Sequence, residues 1–91
     1  MKLRPEVQRF AEEMEKQLRK NEHKGGWKNC SYDFLRQELY KNYYELNMLL
    51  EHPGGNLVEI RENVKKVVLR CANIGNFAMM ISDNCGGMKD G

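Results

Sequence analysis

Leu57 to Asp83 reads LVEIRENVKKVVLRCANIGNFAMMISD, with apolar residues recurring at 57, 60, 64, 67, 71, 74, 78 and 81. Steps of three and four put these residues on one face of a helix. Beside that stripe runs a second row, Glu62, Lys66, Arg70 and Asn73, with Arg61 and Lys65 close by. Positions 61 to 70 hold four basic residues against one acidic one. A long helix of this kind must pack through its apolar face. Its cationic flank is either a solvated surface or a place for an anion.

Working back from this stretch, His52-Pro53-Gly54-Gly55 breaks the chain abruptly. Asn56 then caps the long helix, and Glu59 completes a pattern like a capping box, although the strict pattern uses Ser or Thr. The preceding helix is expected from Tyr32 to about Glu51, with Ser31 as N-cap and Asp33 in the first turn. Leu35, Leu39, Leu46 and Leu50 make its apolar face, with Tyr43 beside them. Tyr40, Tyr43 and Tyr44 cluster on it, and buried hydroxyls need partners, so an interface or pocket wall is expected there. Lys41, Asn42 and Glu45 share a neighbouring face.

Further back, Lys24-Gly25-Gly26-Trp27-Lys28-Asn29-Cys30 reads as a loop, because two glycines favour turns. Its single Trp27, flanked by Lys24 and Lys28, is either a lid over the core or a stacking platform for a base. A first amphipathic helix from Pro5 to about Lys20 carries Val7, Phe10, Ala11, Met14 and Leu18. Pro5 suits the first turn. Glu6, Glu12 and Glu13 come early and Arg19 and Lys20 late, in keeping with the helix dipole. At the other end, Gly86–Gly91 reads as a frayed tail.

The expected fold class is all-α: a helical hairpin plus an N-terminal helix packed outside it. Ninety-one residues make one domain, 1–91, with a limited core. Two long helices cannot cover both their faces alone, so pairing of hairpins into a four-helix core by homo-oligomerisation, as dimer or tetramer, is expected. Hydrophobic content of 41% and charged content of 31% fit a soluble helical protein. A net charge of +2 lacks the basic excess of a nucleic-acid polymer binder. No stretch approaches the roughly 20 apolar residues of a membrane span. Met1-Lys2-Leu3-Arg4-Pro5 runs into charged helix with no apolar segment, so neither a signal peptide nor a membrane partner is expected, and the cytoplasm is the expected location. Cys30, Cys71 and Cys85 have no metal-ligand spacing and suit reduced thiols, with Cys71 in the core.

Two runs resemble a known family. Lys24-Gly25-Gly26-Trp27 followed by a helix, and Cys71-Ala72-x-x-x-Asn76-Phe77-Ala78-Met79-Met80-Ile81, look like the MazG-like all-α nucleoside triphosphate pyrophosphohydrolases, particularly their small phage-type members. The resemblance covers about residues 20 to 84. It implies a magnesium site built from an EExxE pattern on one helix and ExxD on the next, since Mg²⁺ prefers oxygen ligands and bridges them to phosphate. This sequence departs from that pattern at nearly every ligand. Lys41 and Asn42 stand where the paired acids would be, Arg70 where the Glu would be and Asn73 where the Asp would be; Glu45 and Asn76 match.

Two lost carboxylates have thus become cations, which repel Mg²⁺ but attract phosphate directly, Arg through two parallel hydrogen bonds. The resemblance so altered implies a nucleotide-binding relative with no catalytic residues, no metal and no cofactor. Lys24, Trp27, Lys41, Tyr44, Glu45, Lys66, Arg70, Asn73 and Asn76 are its candidate ligand-binding residues. A phage sponge that sequesters a host cyclic dinucleotide defence signal, acting in the host cytoplasm, is the leading specific expectation. The alternatives are a pyrophosphohydrolase with a site rebuilt from Glu38, Glu45 and Glu62, and a protein-interaction module using Met79, Met80 and the tyrosines.

Overall fold

The computed structural model describes residues 1–88; their regular structure is helical, with no strand among them. Helix α1 spans Pro5–Lys20, α2 Tyr32–Glu51 and α3 Leu57–Asn84, with one 3₁₀ turn at Glu22–Lys24. The ends sit where local chemistry puts them. Ser31 Oγ accepts the Phe34 N–H at 3.1 Å and opens α2. Asn56 Oδ1 accepts the Glu59 N–H at 2.9 Å and opens α3. The Glu59 carboxylate reaches back to the Gly55 N–H at 2.8 Å, one residue earlier than in a strict capping box. Gly54, at φ +116°, makes the turn between the two helices; a Cβ there would lie 3.0 Å from the Glu59 Cβ. The tail expected over Gly86–Gly91 starts as a turn through Met88, and its last three residues lie outside the described ones.

Helices α2 and α3 form the antiparallel hairpin, and α1 packs its backbone against α3 rather than α2. The result is a shallow molecule, 50 × 33 × 24 Å. At the α1 crossing, Phe10 and Met14 lie directly over Gly75, whose missing side chain permits the approach: a Cβ would meet the Phe10 ring at 3.1 Å. Among the described residues the only fully buried apolar side chains are Leu35 and Ala72.

With so little apolar core, side-chain amides fix how the elements meet. Each of the four asparagines of α3 donates to a different part of the chain. Asn63 donates to the Pro53 carbonyl at 2.9 Å, and Asn73 to Asn42 Oδ1 at 3.1 Å. Asn76 donates to the Met14 carbonyl at 3.0 Å, and Asn84 to the Trp27 carbonyl at 2.9 Å.

The apolar stripe of α3 is only partly used. On α3, Asn63, Val67, Arg70, Ile74, Phe77 and Ile81 are all half-buried and share one side of the helix, a line rotated from the expected one. Leu57 and Val64 stay 69% and 56% exposed, Ile60 and Ala78 are exposed as well, and Cys71 is half-buried. The bonds from Arg70 and Asn73 to Asn42 turn this polar flank inward and leave part of the stripe outside. On α2, Leu35, Leu39, Leu46 and Leu49 turn inward, while Leu50 and Tyr43 remain outside. On α1, Val7 and Ala11 are exposed and Gln17 is buried.

Gly75→Leu is expected to lever α1 off α3 and destabilise the fold by about 1–3 kcal/mol. Urea denaturation followed by helical circular dichroism reads this loss.

Candidate functional site

The polar seam between α2 and α3 is built around Asn42, which is only 5% exposed. Its Nδ2 donates to the Glu38 carbonyl one turn back, at 2.8 Å, which fixes the amide's orientation. Its Oδ1 then faces α3 and accepts from Arg70 Nη1 at 3.0 Å and Asn73 Nδ2 at 3.1 Å. An amide oxygen has two lone pairs, so Asn42 accepts all it can. Arg70 and Asn73 lie three apart on α3 and share a face by helix geometry.

Arg70 is half-buried as a residue, and its guanidinium is steadied by a neutral amide rather than by a carboxylate. Among the described residues the ion pairs are Lys28–Asp83, Arg36–Asp33, Lys41–Glu38 and Lys65–Glu62, none of which involves Arg70 or Lys66. A guanidinium carries five N–H donors in a planar fork, and Asn42 engages one nitrogen. The seam thus presents a positive charge with unused donors, suited to a carboxylate or phosphate.

The other candidates divide by position. Lys66 is exposed one turn before Arg70 on the same side of α3. Lys41 and Glu45 are exposed on the flank of α2 beside Asn42, with Lys41 Nζ 3.4 Å from Glu38 Oε1. Tyr44 stands two residues after Asn42, so it projects about 160° round the helix, away from the seam. Asn76 is 3% exposed and belongs to the α1–α3 contact through Met14, with its Oδ1 unpartnered.

Trp27 lies elsewhere. Its Nε1–H donates to Asp83 Oδ2 at 2.9 Å, and Lys28 Nζ approaches the same oxygen at 2.6 Å. Asp83 is about 20 Å beyond Arg70 at 1.5 Å rise per residue. Of the two roles open to Trp27, these contacts match the lid: it clasps the loop to the end of α3. Lys24, exposed in the 3₁₀ turn before it, belongs to that loop.

Asn42 itself carries more than its sequence position announced. It stood there only as a replaced ligand, and no local spacing links it to partners 28 and 31 residues away. Lys28, Asp83 and Asn84, which complete the Trp27 clasp, gave no signal beyond their nearness to Trp27 or the helix end. Among the described residues no three His, Cys, Asp or Glu side chains gather as a metal-binding group. Glu38 and Glu62 engage Lys41 and Lys65 instead. One shallow groove runs along Glu12, Glu15, Lys16, Arg19 and Lys20, and another lies between Tyr32 and Cys85; neither includes Arg70. No helix among the described residues is long and apolar enough to cross a membrane. No family model, curated protein or solved structure matches the chain.

Asn42→Leu removes the one acceptor shared by Arg70 and Asn73 and strands their donors in the seam. A loss of about 1–3 kcal/mol in urea denaturation is expected. Trp27→Phe keeps an aromatic ring in the loop but deletes the N–H donor to Asp83, and about 1 kcal/mol of destabilisation is expected from the same measurement.

Proposed function

We propose that this chain is a non-catalytic nucleotide-binding protein that holds a phosphate group at Arg70, with Asn73 and Lys66 beside it and Lys41 at the rim. One observation carries this: the half-buried Arg70, whose guanidinium is oriented by Asn42 and which forms no ion pair with a carboxylate among the described residues. Phosphate oxygens accept two parallel hydrogen bonds from such a fork and gain a charge-assisted contact.

The resemblance to MazG-like enzymes draws support from the same place. The positions at which that family would hold Mg²⁺ are occupied by Lys41, Asn42, Arg70 and Asn73, and Arg70 and Asn73 both donate to Asn42 Oδ1. Side chains that share one ion in an enzyme would have to meet in this way. Here cationic and amide groups replace the acids, so the charge complement to phosphate comes from the protein. The residues that remain bind a nucleotide and leave it intact.

The seam suits a phosphodiester better than a triphosphate. Each phosphodiester carries one negative charge, which one guanidinium and a nearby lysine can match, whereas a triphosphate tail concentrates several charges that usually need a metal. Stoichiometric sequestration of a cyclic dinucleotide, as a phage sponge against a host defence signal would perform it, follows as the biological role. The aromatic platform is not Trp27 or Tyr44 of the same chain, because both lie away from the seam, so recognition rests on the phosphates.

Isothermal titration against cyclic dinucleotides and nucleoside triphosphates, with and without Mg²⁺ and with the ligand recovered afterwards, tests this function. Magnesium-independent binding of a cyclic dinucleotide with intact recovery is expected. Arg70→Ala should abolish binding without loss of helix, because Asn42 Oδ1 keeps its bond from Asn73. Magnesium-dependent cleavage, or no binding of any ligand by the wild type, would overturn it.

A further inference from the structure

One group on the polar seam is not explained by anion binding. Glu45 is exposed on α2 one turn after Asn42, on the side of the seam that carries Lys41 and Lys66. It stands about 60° round α2 from Asn42, and Lys66 stands about 40° round α3 from Arg70, in the same rotational sense. Antiparallel packing turns those two flanks towards one another. It also carries both residues the same way from the Asn42–Arg70 bond, Glu45 by about 4.5 Å and Lys66 by about 6 Å along the helices. Glu45 and Lys66 therefore stand opposite one another across the seam.

These facing charges do not pair. Glu45 takes part in none of the ion pairs among the described residues, and Lys41, four residues before it, turns to Glu38 instead. A free carboxylate beside a phosphate site repels every phosphate, which lowers affinity unless the carboxylate engages another part of the ligand. An ionised carboxylate only accepts hydrogen bonds. Among the bases, guanine alone sets two donors side by side, N1–H and the N2 amine, where two carboxylate oxygens can accept both. Adenine and cytosine present one amine beside a ring acceptor, and uracil and thymine one N–H between two carbonyls. Against those edges a carboxylate meets a lone pair as well as a donor, and the mismatch is penalised.

We propose that Glu45 selects guanine: its two carboxylate oxygens accept from N1–H and the N2 amine of a guanine whose phosphate lies on Arg70, so the ligand class is a guanine nucleotide. This rests on the phosphate-binding reading of the seam. The phosphates supply the binding, and Glu45 discriminates between bases. The two parallel bonds to an ionised acceptor are charge-assisted and fix the plane of the base. Lys66, unpaired and opposite, offsets the repulsion between Glu45 and the phosphate without occupying the carboxylate.

Isothermal titration of the whole chain with cyclic di-GMP, cyclic di-AMP and cyclic di-IMP tests this. The last keeps the N1–H of guanine and lacks its N2 amine. The wild type should bind cyclic di-GMP at least about tenfold more tightly than either of the others. Glu45→Gln replaces one acceptor by a donor at an exposed position, so it spares the fold. It should weaken cyclic di-GMP at least about tenfold and leave cyclic di-AMP unchanged or tighter, because a glutamine amide matches the adenine edge. Glu51→Gln removes the same charge from the same helix, about 180° round from Asn42, and should leave the preference intact. Equal binding of cyclic di-GMP and cyclic di-AMP by the wild type would overturn the base assignment and leave the phosphate reading standing. So would a Glu45→Gln variant that changes all three affinities by the same factor, or a Glu51→Gln variant that shifts the preference as much. A wild type that binds none of the three would overturn both.

Discussion

Helix α3 is the one element that both other helices touch, and everything else is placed relative to it. A helix is a cylinder, and two neighbours cannot cover an apolar stripe that runs nearly its whole length. The chain meets this constraint by setting the 20-residue α2 along the 28-residue α3 and α1 across the second half of α3, where Gly75 lets Phe10 and Met14 approach. The first half of the stripe, Leu57, Ile60 and Val64, is left in solvent. A lone chain of this shape buries too little apolar surface for hydrophobic burial alone to fix its arrangement.

Hydrogen bonds from α3 supply the missing specificity. Asn63, Asn73, Asn76 and Asn84 reach the hairpin turn, α2, α1 and the Trp27 loop in that order along the helix. An amide donor must find its acceptor within a narrow range of distance and angle, so each bond sets a register that apolar contact leaves loose. Each contributes only about 0.5–1.5 kcal/mol, but leaving one unmade in a covered seam costs more. The amides therefore discriminate between packings more than they stabilise any one of them.

The Asn42 seam joins this architecture to chemistry. A half-buried Arg beside a carboxylate would have its charge balanced within the protein. Beside Asn42 it is held in place by a neutral group, and Lys66 adds a second cation with no carboxylate partner among the described residues. The same bonds that set the α2–α3 register also fix the orientation of the guanidinium, so the packing of the two helices and the placement of Arg70 share their determinants. The Trp27 clasp on Asp83 serves the opposite end of α3, where it fixes the loop that carries the chain from α1 into α2.

The sequence by itself determined the helices and their ends. Ser31, Asn56, Gly25-Gly26 and Pro53-Gly54 act within a turn of where they stand, so their effects are legible from neighbours alone. It also showed that α3 would carry a cationic flank beside an apolar stripe. Only the tertiary structure decided which part of that stripe is covered, that Asn42 is the hub of the seam, and that Trp27 and Tyr44 stand away from Arg70. These outcomes depend on contacts such as Asn42 with Arg70, Trp27 with Asp83 and Met14 with Asn76, whose partners lie 28 to 62 residues apart. Nothing local encodes such pairings, because the rotation of one helix against another is set by all its contacts at once, and a small turn about the axis exchanges a buried leucine for a buried arginine.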